Sequence, residues 1–252
     1  MEPATLILFW VIVAASAYVQ TLVGFALGLF LMGSVTLFGL MPVAQAAQVT
    51  SVLVIMNAVM VLTRDRAHID RPALRLLLIA AIPGSVAGYA LLSFLSGASL
   101  DGLRLLLGVV IAIAAAQLVR RPEPLAQRSG PASFLATGGA GGILGGLFAT
   151  AGPPVIWQLY RQPISQDAVR VTLVSFFFAT QAWRLLISAV STGIDGATLI
   201  AAAGAAPAVA LGTWAARRLP PPIARSTLRR AALGLLFFNG LALIATALAR
   251  LW

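Results

Sequence analysis

The sequence predicts an all-α polytopic membrane protein made of two inverted-topology repeats, with a broken or re-entrant helix opening each half. Three observations carry that expectation. Apolar runs of about twenty residues alternate with short polar breaks. The arginines gather in some of those breaks and not in others. Two of the apolar runs are interrupted by glycine and proline at corresponding places in the halves.

Of 252 residues, 60% are hydrophobic and 10% charged, too little polar surface to cover a soluble domain of this size. One His and no Cys exclude a disulfide framework and a thiolate metal site, and no cofactor is expected. A formal charge of +10 raises the question of nucleic acid. All 17 basic residues are Arg, however, and most lie in short loops, as in membrane proteins that keep positive charge on the cytoplasmic side, so no nucleic-acid partner is expected. The start, "MEPATLILFW", has an acid and no basic residue before its apolar run, which argues against a cleaved signal peptide.

Taken in order, residues 6–40 form an apolar stretch with a turn near "QTLVGFALG", and "MPVAQAA" leads into a crossing at 44–62. The Arg-rich loop 63–75 then lies in the cytoplasm, followed by a crossing at 76–95, an Arg-free outer break at 96–102 and a crossing at 103–119. A second Arg-rich loop, 119–130, precedes the run at 134–159. That run starts and ends on the cytoplasmic side, and its length gives two legs of only about 20 Å each against a core of about 30 Å, so two short helices meeting inside the membrane are expected. Crossings at 170–190, 198–215 and 231–251 complete the chain, separated by an outer break at 191–197 and the Arg-rich loop 216–230. Both termini are then outside.

The halves match at low identity. "MPVAQAA" aligns with "QPISQDA", "PGSVAG" with "PAVALG" and "LRLLLG" with "LRRAALG", each pair about 120 to 125 residues apart, and every matched pair lies on opposite sides of the membrane. The expected organisation is a first membrane repeat at 1–120, a cytoplasmic linker at 121–131 and a second, inverted repeat at 132–252. Inverted repeats with interrupted helices point to a secondary transporter whose site lies at the midplane, where irregular backbone lines a cavity.

At "GGILGGLFATAGPPVIWQLY", with "QTLVGFALG" as its first-half partner, the chain resembles the sulfite exporter TauE/SafE family over nearly its whole length. The resemblance implies a bacterial inner-membrane transporter of sulfite, sulfoacetate or another small sulfur-containing anion, and the inverted repeats with interrupted helices predict that it works by alternating access. The alternative reading is a non-transporting membrane scaffold or assembly factor with a dry, packed centre.

An anion leaving water needs donors in place of its hydration shell, and a helix N-terminus supplies free N–H groups and partial positive charge. In "FATAGPPVIW", Thr150, Ala151 and Gly152 can form one wall of such a site, with Pro153 and Pro154 in the first helical turn. The preceding "GGAGGILGG" also suits close helix packing through small residues. Gln20, Thr21, Gly24 and Phe25 occupy the corresponding break; the Gln20 amide can donate to a sulfonate oxygen or bond a neighbouring helix. Thr50, Ser51 and Asn57 on the next crossing, with Thr172 as a repeat counterpart, are candidate lining residues. Arg184 lies inside the crossing 170–190, where it either meets substrate or snorkels to the interface. All seven acids fall at the terminus or in loops, so no buried carboxylate serves as a proton relay, and no Ser/His, His/Glu or paired-Asp constellation supports an enzyme.

Overall fold

The computed structural model describes residues 3–98, 100–119, 124–222 and 225–251; Glu2, Glu123 and the opening of the expected linker at 121–123 lie outside them. The described residues form ten α-helices: α1 (Pro3–Val23), α2 (Leu27–Leu37), α3 (Val43–Asp65), α4 (Arg71–Ala98), α5 (Leu100–Val119), α6 (Pro131–Phe148), α7 (Gly152–Tyr160), α8 (Gln166–Ser191), α9 (Gly196–Arg218) and α10 (Arg225–Leu251). A single 3-10 turn, Arg66–His68, joins α3 to α4, and no strand occurs among the described residues. Six helices, α1, α3, α4, α5, α8 and α9, are long and apolar enough to cross a membrane.

The single crossings expected at 44–62, 76–95, 103–119, 170–190, 198–215 and 231–251 fall within α3, α4, α5, α8, α9 and α10. The two opening stretches are broken, as expected, but unevenly. α1 has 21 residues and α2 has 11; α6 has 18 and α7 has 9. The helices α6 and α7 are therefore about 27 Å and about 14 Å long at the α-helical rise, rather than two legs of about 20 Å.

The reason lies in what the glycines do. Gly138, Gly142 and Gly146 recur every four residues on one face of α6, and a Cβ on any of them would collide with the backbone of Leu77, Ala81 or Ser85 on α4. From the other side, a Cβ on Gly84 would lie 2.7 Å from the Gly139 carbonyl oxygen. The glycines let two helix backbones touch, and helix α6 runs straight through them. Between helices in lipid, where both faces are equally apolar, such close van der Waals packing supplies the attraction. Gly212 on α9 meets the Ala14 backbone of α1 in the same manner, and Gly108 on α5 meets Gly240 on α10.

The main helix pairs are α4 with α6, α1 with α9, α5 with α10 and α3 with α8. Polar groups fix the ends. The Ser165 hydroxyl caps α8 by accepting from the Ala168 N–H, and the Asp195 carboxylate caps α9 by accepting from the Thr198 N–H at 2.7 Å. Near the start of α8, Arg170 pairs with Asp65 at 2.9 Å, and Arg128 pairs with Asp70 at 2.8 Å.

Gly142→Val should overpack the α4–α6 seam and cost about 1 to 3 kcal/mol, read as a lowered Tm in detergent. Gly204→Ala, where an added Cβ meets nothing within 4 Å, should leave Tm unchanged or slightly raised.

Candidate functional site

The two helix breaks meet. Between α1 and α2 the chain turns through Gly24, with φ +88°, and Ala26, with φ 113°. Gly24 is required there twice over, since its φ is left-handed and a Cβ would lie 2.9 Å from Arg170 Cα. Between α6 and α7 the turn is made by Ala149, with φ 54°, then Thr150 and Ala151. Gly28, at the start of α2, packs directly on the second break: its Cβ position is 2.9 Å from the Ala149 carbonyl oxygen and 3.7 Å from Thr150 Cγ2.

Each break is held by a buried glutamine. The Gln20 Oε1 accepts from the Leu27 N–H at 3.0 Å, which satisfies a donor at the start of α2. The Gln20 Nε2 donates to Asn57 Oδ1 at 2.9 Å, and Asn57 Nδ2 donates in turn to the hydroxyls of Thr21, at 3.0 Å, and Thr213, at 2.8 Å. At the second break Gln181 Nε2 donates to the Ala149 carbonyl at 3.0 Å, while its Oε1 accepts from the Ser51 hydroxyl at 2.8 Å. The orphaned carbonyls at the end of α1 are also met: Tyr160 donates its hydroxyl to Val23 O at 3.2 Å, and Arg170 Nη1 lies 3.5 Å from Thr21 O.

Between the breaks lies a small cavity of about 20 Å³, measured as space open to the centre of a water molecule. That is room for a water and not for a sulfonate. Its wall is mostly apolar, with Phe25, Leu29, Val54, Ile156 and Phe177 beside the break residues Ala26, Gly28, Ala149, Thr150, Ala151 and Gly152, and the side chains of Gln20, Thr150 and Gln181 are its polar groups. Thr150 Oγ1 is buried with no hydrogen-bond partner, and neither Thr150 nor Ala151 donates its backbone N–H to another group among the described residues. The wall thus carries unused donors and no carboxylate.

Of the expected site residues, the structure brings Gln20, Phe25, Thr150, Ala151 and Gly152 together on the cavity. Thr21 and Asn57 stand behind Gln20 as its hydrogen-bond partners, and Gly24 shapes the turn. Ser51 reaches the site through Gln181; Thr50 is buried with an unpartnered hydroxyl; Pro153 is buried in the first turn of α7, outside the cavity wall. Thr172 is off the cavity wall: its hydroxyl accepts from the Asp70 N–H at 2.9 Å, which ties the start of α4 to the second turn of α8. Arg184 is fully buried, so it does not snorkel, and it sits one helix turn beyond Gln181, off the cavity wall. Gln181 and Phe177 were not among the expected residues. An amide three residues before Arg184 in an otherwise apolar segment was the available signal for Gln181.

A bundle of long apolar helices, two of them broken and meeting over a small buried cavity with a few polar groups, is the architecture of a multi-pass membrane protein. The chain belongs to the sulfite exporter TauE/SafE family, whose model matches residues 8–243. It is similar to the probable sulfite/organosulfonate exporter TauE of Cupriavidus necator, with 39% identity over 237 residues that cover 94% of this chain and 93% of that protein. No solved structure matches.

Gln181→Leu leaves the Ala149 carbonyl without its side-chain donor, while the Ser51 hydroxyl keeps the Ala47 carbonyl as acceptor, and should lower stability by about 1 to 3 kcal/mol in thermal unfolding. Thr150→Val removes a hydroxyl that bonds nothing in this conformation, and should leave Tm unchanged or raised.

Proposed function

We propose that this protein is a secondary transporter that exports a small oxyanion, sulfite or an organosulfonate such as sulfoacetate, across the bacterial inner membrane by alternating access. The observation that carries the proposal is the meeting of the two helix breaks over a cavity with free N–H and hydroxyl donors and no acid. The name of the Cupriavidus necator relative supports the substrate class. The helix pairing supports two inverted repeats at 1–120 and 132–252, joined by a cytoplasmic linker at 121–131. Exchanging α1–α5 with α6–α10 turns the α4–α6 pair into α9–α1 and returns α3–α8 and α5–α10 to themselves. In this reading both termini face out, and the closed cavity is one state of a cycle that opens to admit the anion.

Among the described residues the acids stand at helix ends or in loops: Asp65 ends α3, Asp101 and Asp167 lie in the first turns of α5 and α8, and Asp70 and Asp195 precede α4 and α9. With no carboxylate relay, the anion's own gradient and the membrane potential drive export. An interior-negative potential should accelerate efflux of a permanently ionised sulfonate from proteoliposomes. An imposed pH gradient at zero potential should not drive its accumulation.

Counterflow of labelled sulfite into proteoliposomes, with unlabelled sulfoacetate, sulfate, thiosulfate and acetate as competitors, tests the proposal. Saturable uptake by the wild type, lost in a folded Gly152→Leu protein, is the expected result. No flux of any of these anions through a folded protein overturns it and favours a scaffold.

A further inference from the structure

Arg184 is the feature that the cavity between the breaks does not use. It is fully buried in α8, and no carboxylate pairs with it among the described residues. Its Nε donates to the Gly146 carbonyl at 3.1 Å, Nη1 lies a long 3.4 Å from the Ser51 hydroxyl, and the guanidinium carbon stands 5.6 Å from the centre of the Tyr89 ring. Nη2 is buried with no partner at all. Neutral dipoles and a ring face are weak compensation for a guanidinium removed from water, and a charge kept inside a membrane protein at that cost serves an ion.

The surroundings say which way that ion travels. On one side, Ser51 connects Arg184 to Gln181 and so to the second helix break. On the other, Ser188 and Thr192 follow Arg184 at four-residue intervals, toward the end of α8 opposite the arginine-rich loops. The Tyr89 hydroxyl bridges them, 3.3 Å from Ser188 Oγ and 2.9 Å from Thr192 Oγ1. Gln48 donates to Ser188 Oγ and to the Gly193 carbonyl, and Gly193 is exposed. These hydroxyls now bond one another. Each can turn to an arriving anion without stranding a buried donor.

We infer that Arg184, Tyr89 and Ser188 form a second anion station, between the cavity and the outer end of α8, which takes the sulfite or sulfonate group of a small oxyanion. The guanidinium offsets one negative charge of that group, where an anion buried without a cation would be costly. Several donors approaching from α4 and α8 suit an anion with more than one oxygen. The station rests on the anion-transporter reading above.

The test is the KM for labelled sulfite measured separately from each face, in right-side-out and inverted membrane vesicles. Arg184→Gln should raise KM from the outer face about tenfold or more, through loss of charge-assisted hydrogen bonds, and change KM from the arginine-loop face by less than about threefold. Arg184→Lys should recover part of the loss, because the charge returns without the planar fork. Equal shifts at both faces, or a fall in maximal rate with both KM values unchanged, overturns the station. If Arg184→Gln does not fold, Tyr89→Phe removes a single hydroxyl and should raise the outer KM about fivefold; no change at either face overturns the inference. A wild type that carries no sulfite in either vesicle overturns the transporter reading and the station with it, whereas wild-type flux with face-independent effects overturns the station alone.

Discussion

Everything in this fold answers to one constraint: inside a bilayer, each backbone N–H and C=O must find its partner within the protein. An unbroken helix meets that demand by itself. A broken one does not, and the two breaks are possible because side chains, on the broken helix or on a neighbour, supply what the backbone loses. Gln20 and Gln181 do this most directly, each with one end of its amide on break backbone and the other on a polar residue of α3. Tyr160 and Arg170 complete the accounting at the end of α1. The second break is left incompletely satisfied, at Thr150 and Ala151, the groups on which the proposed anion site rests.

Packing sets the frame within which those breaks stand. The α4–α6 and α5–α10 seams bring backbone against backbone through glycine, so they have little freedom to slide. Helices α2 and α7 are short and start at breaks, and a side-chain amide bond ties the start of α2, from Leu27 N–H to Gln20.

The fold class and most crossings were legible because twenty-residue apolar runs and arginine loops report on lipid directly. The breaks were legible in place but not in proportion. Glycine in a soluble helix is a weak point, but in lipid "GGAGGILGG" suits close packing; its missing side chains do face α4, and the helix ends only where Ala149 adopts a left-handed backbone. That Thr150 to Gly152 and Gln20 sit at the two breaks was readable from helix-start chemistry. The position of Thr172, bonded to the start of α4 and off the cavity wall, was not, because a weak repeat match fixes a height along the helix and not the face or the neighbour. Arg184 was visible as an anomaly, but its burial depends on α4 and α6, which sequence spacing within α8 does not reveal.

The tightest seam in the molecule joins α4, from the first half of the chain, to α6, from the second. During synthesis α4 therefore enters the bilayer before its partner exists. Until α6 emerges, the small-residue face of α4 at Ala81, Gly84, Ser85 and Gly88 is covered only by lipid, which cannot fill so narrow a groove as a glycine helix does. Assembly of this protein is thus timed by the interval between two helices rather than by either half alone, and the loop between α5 and α6 sets how long the first half waits for its match.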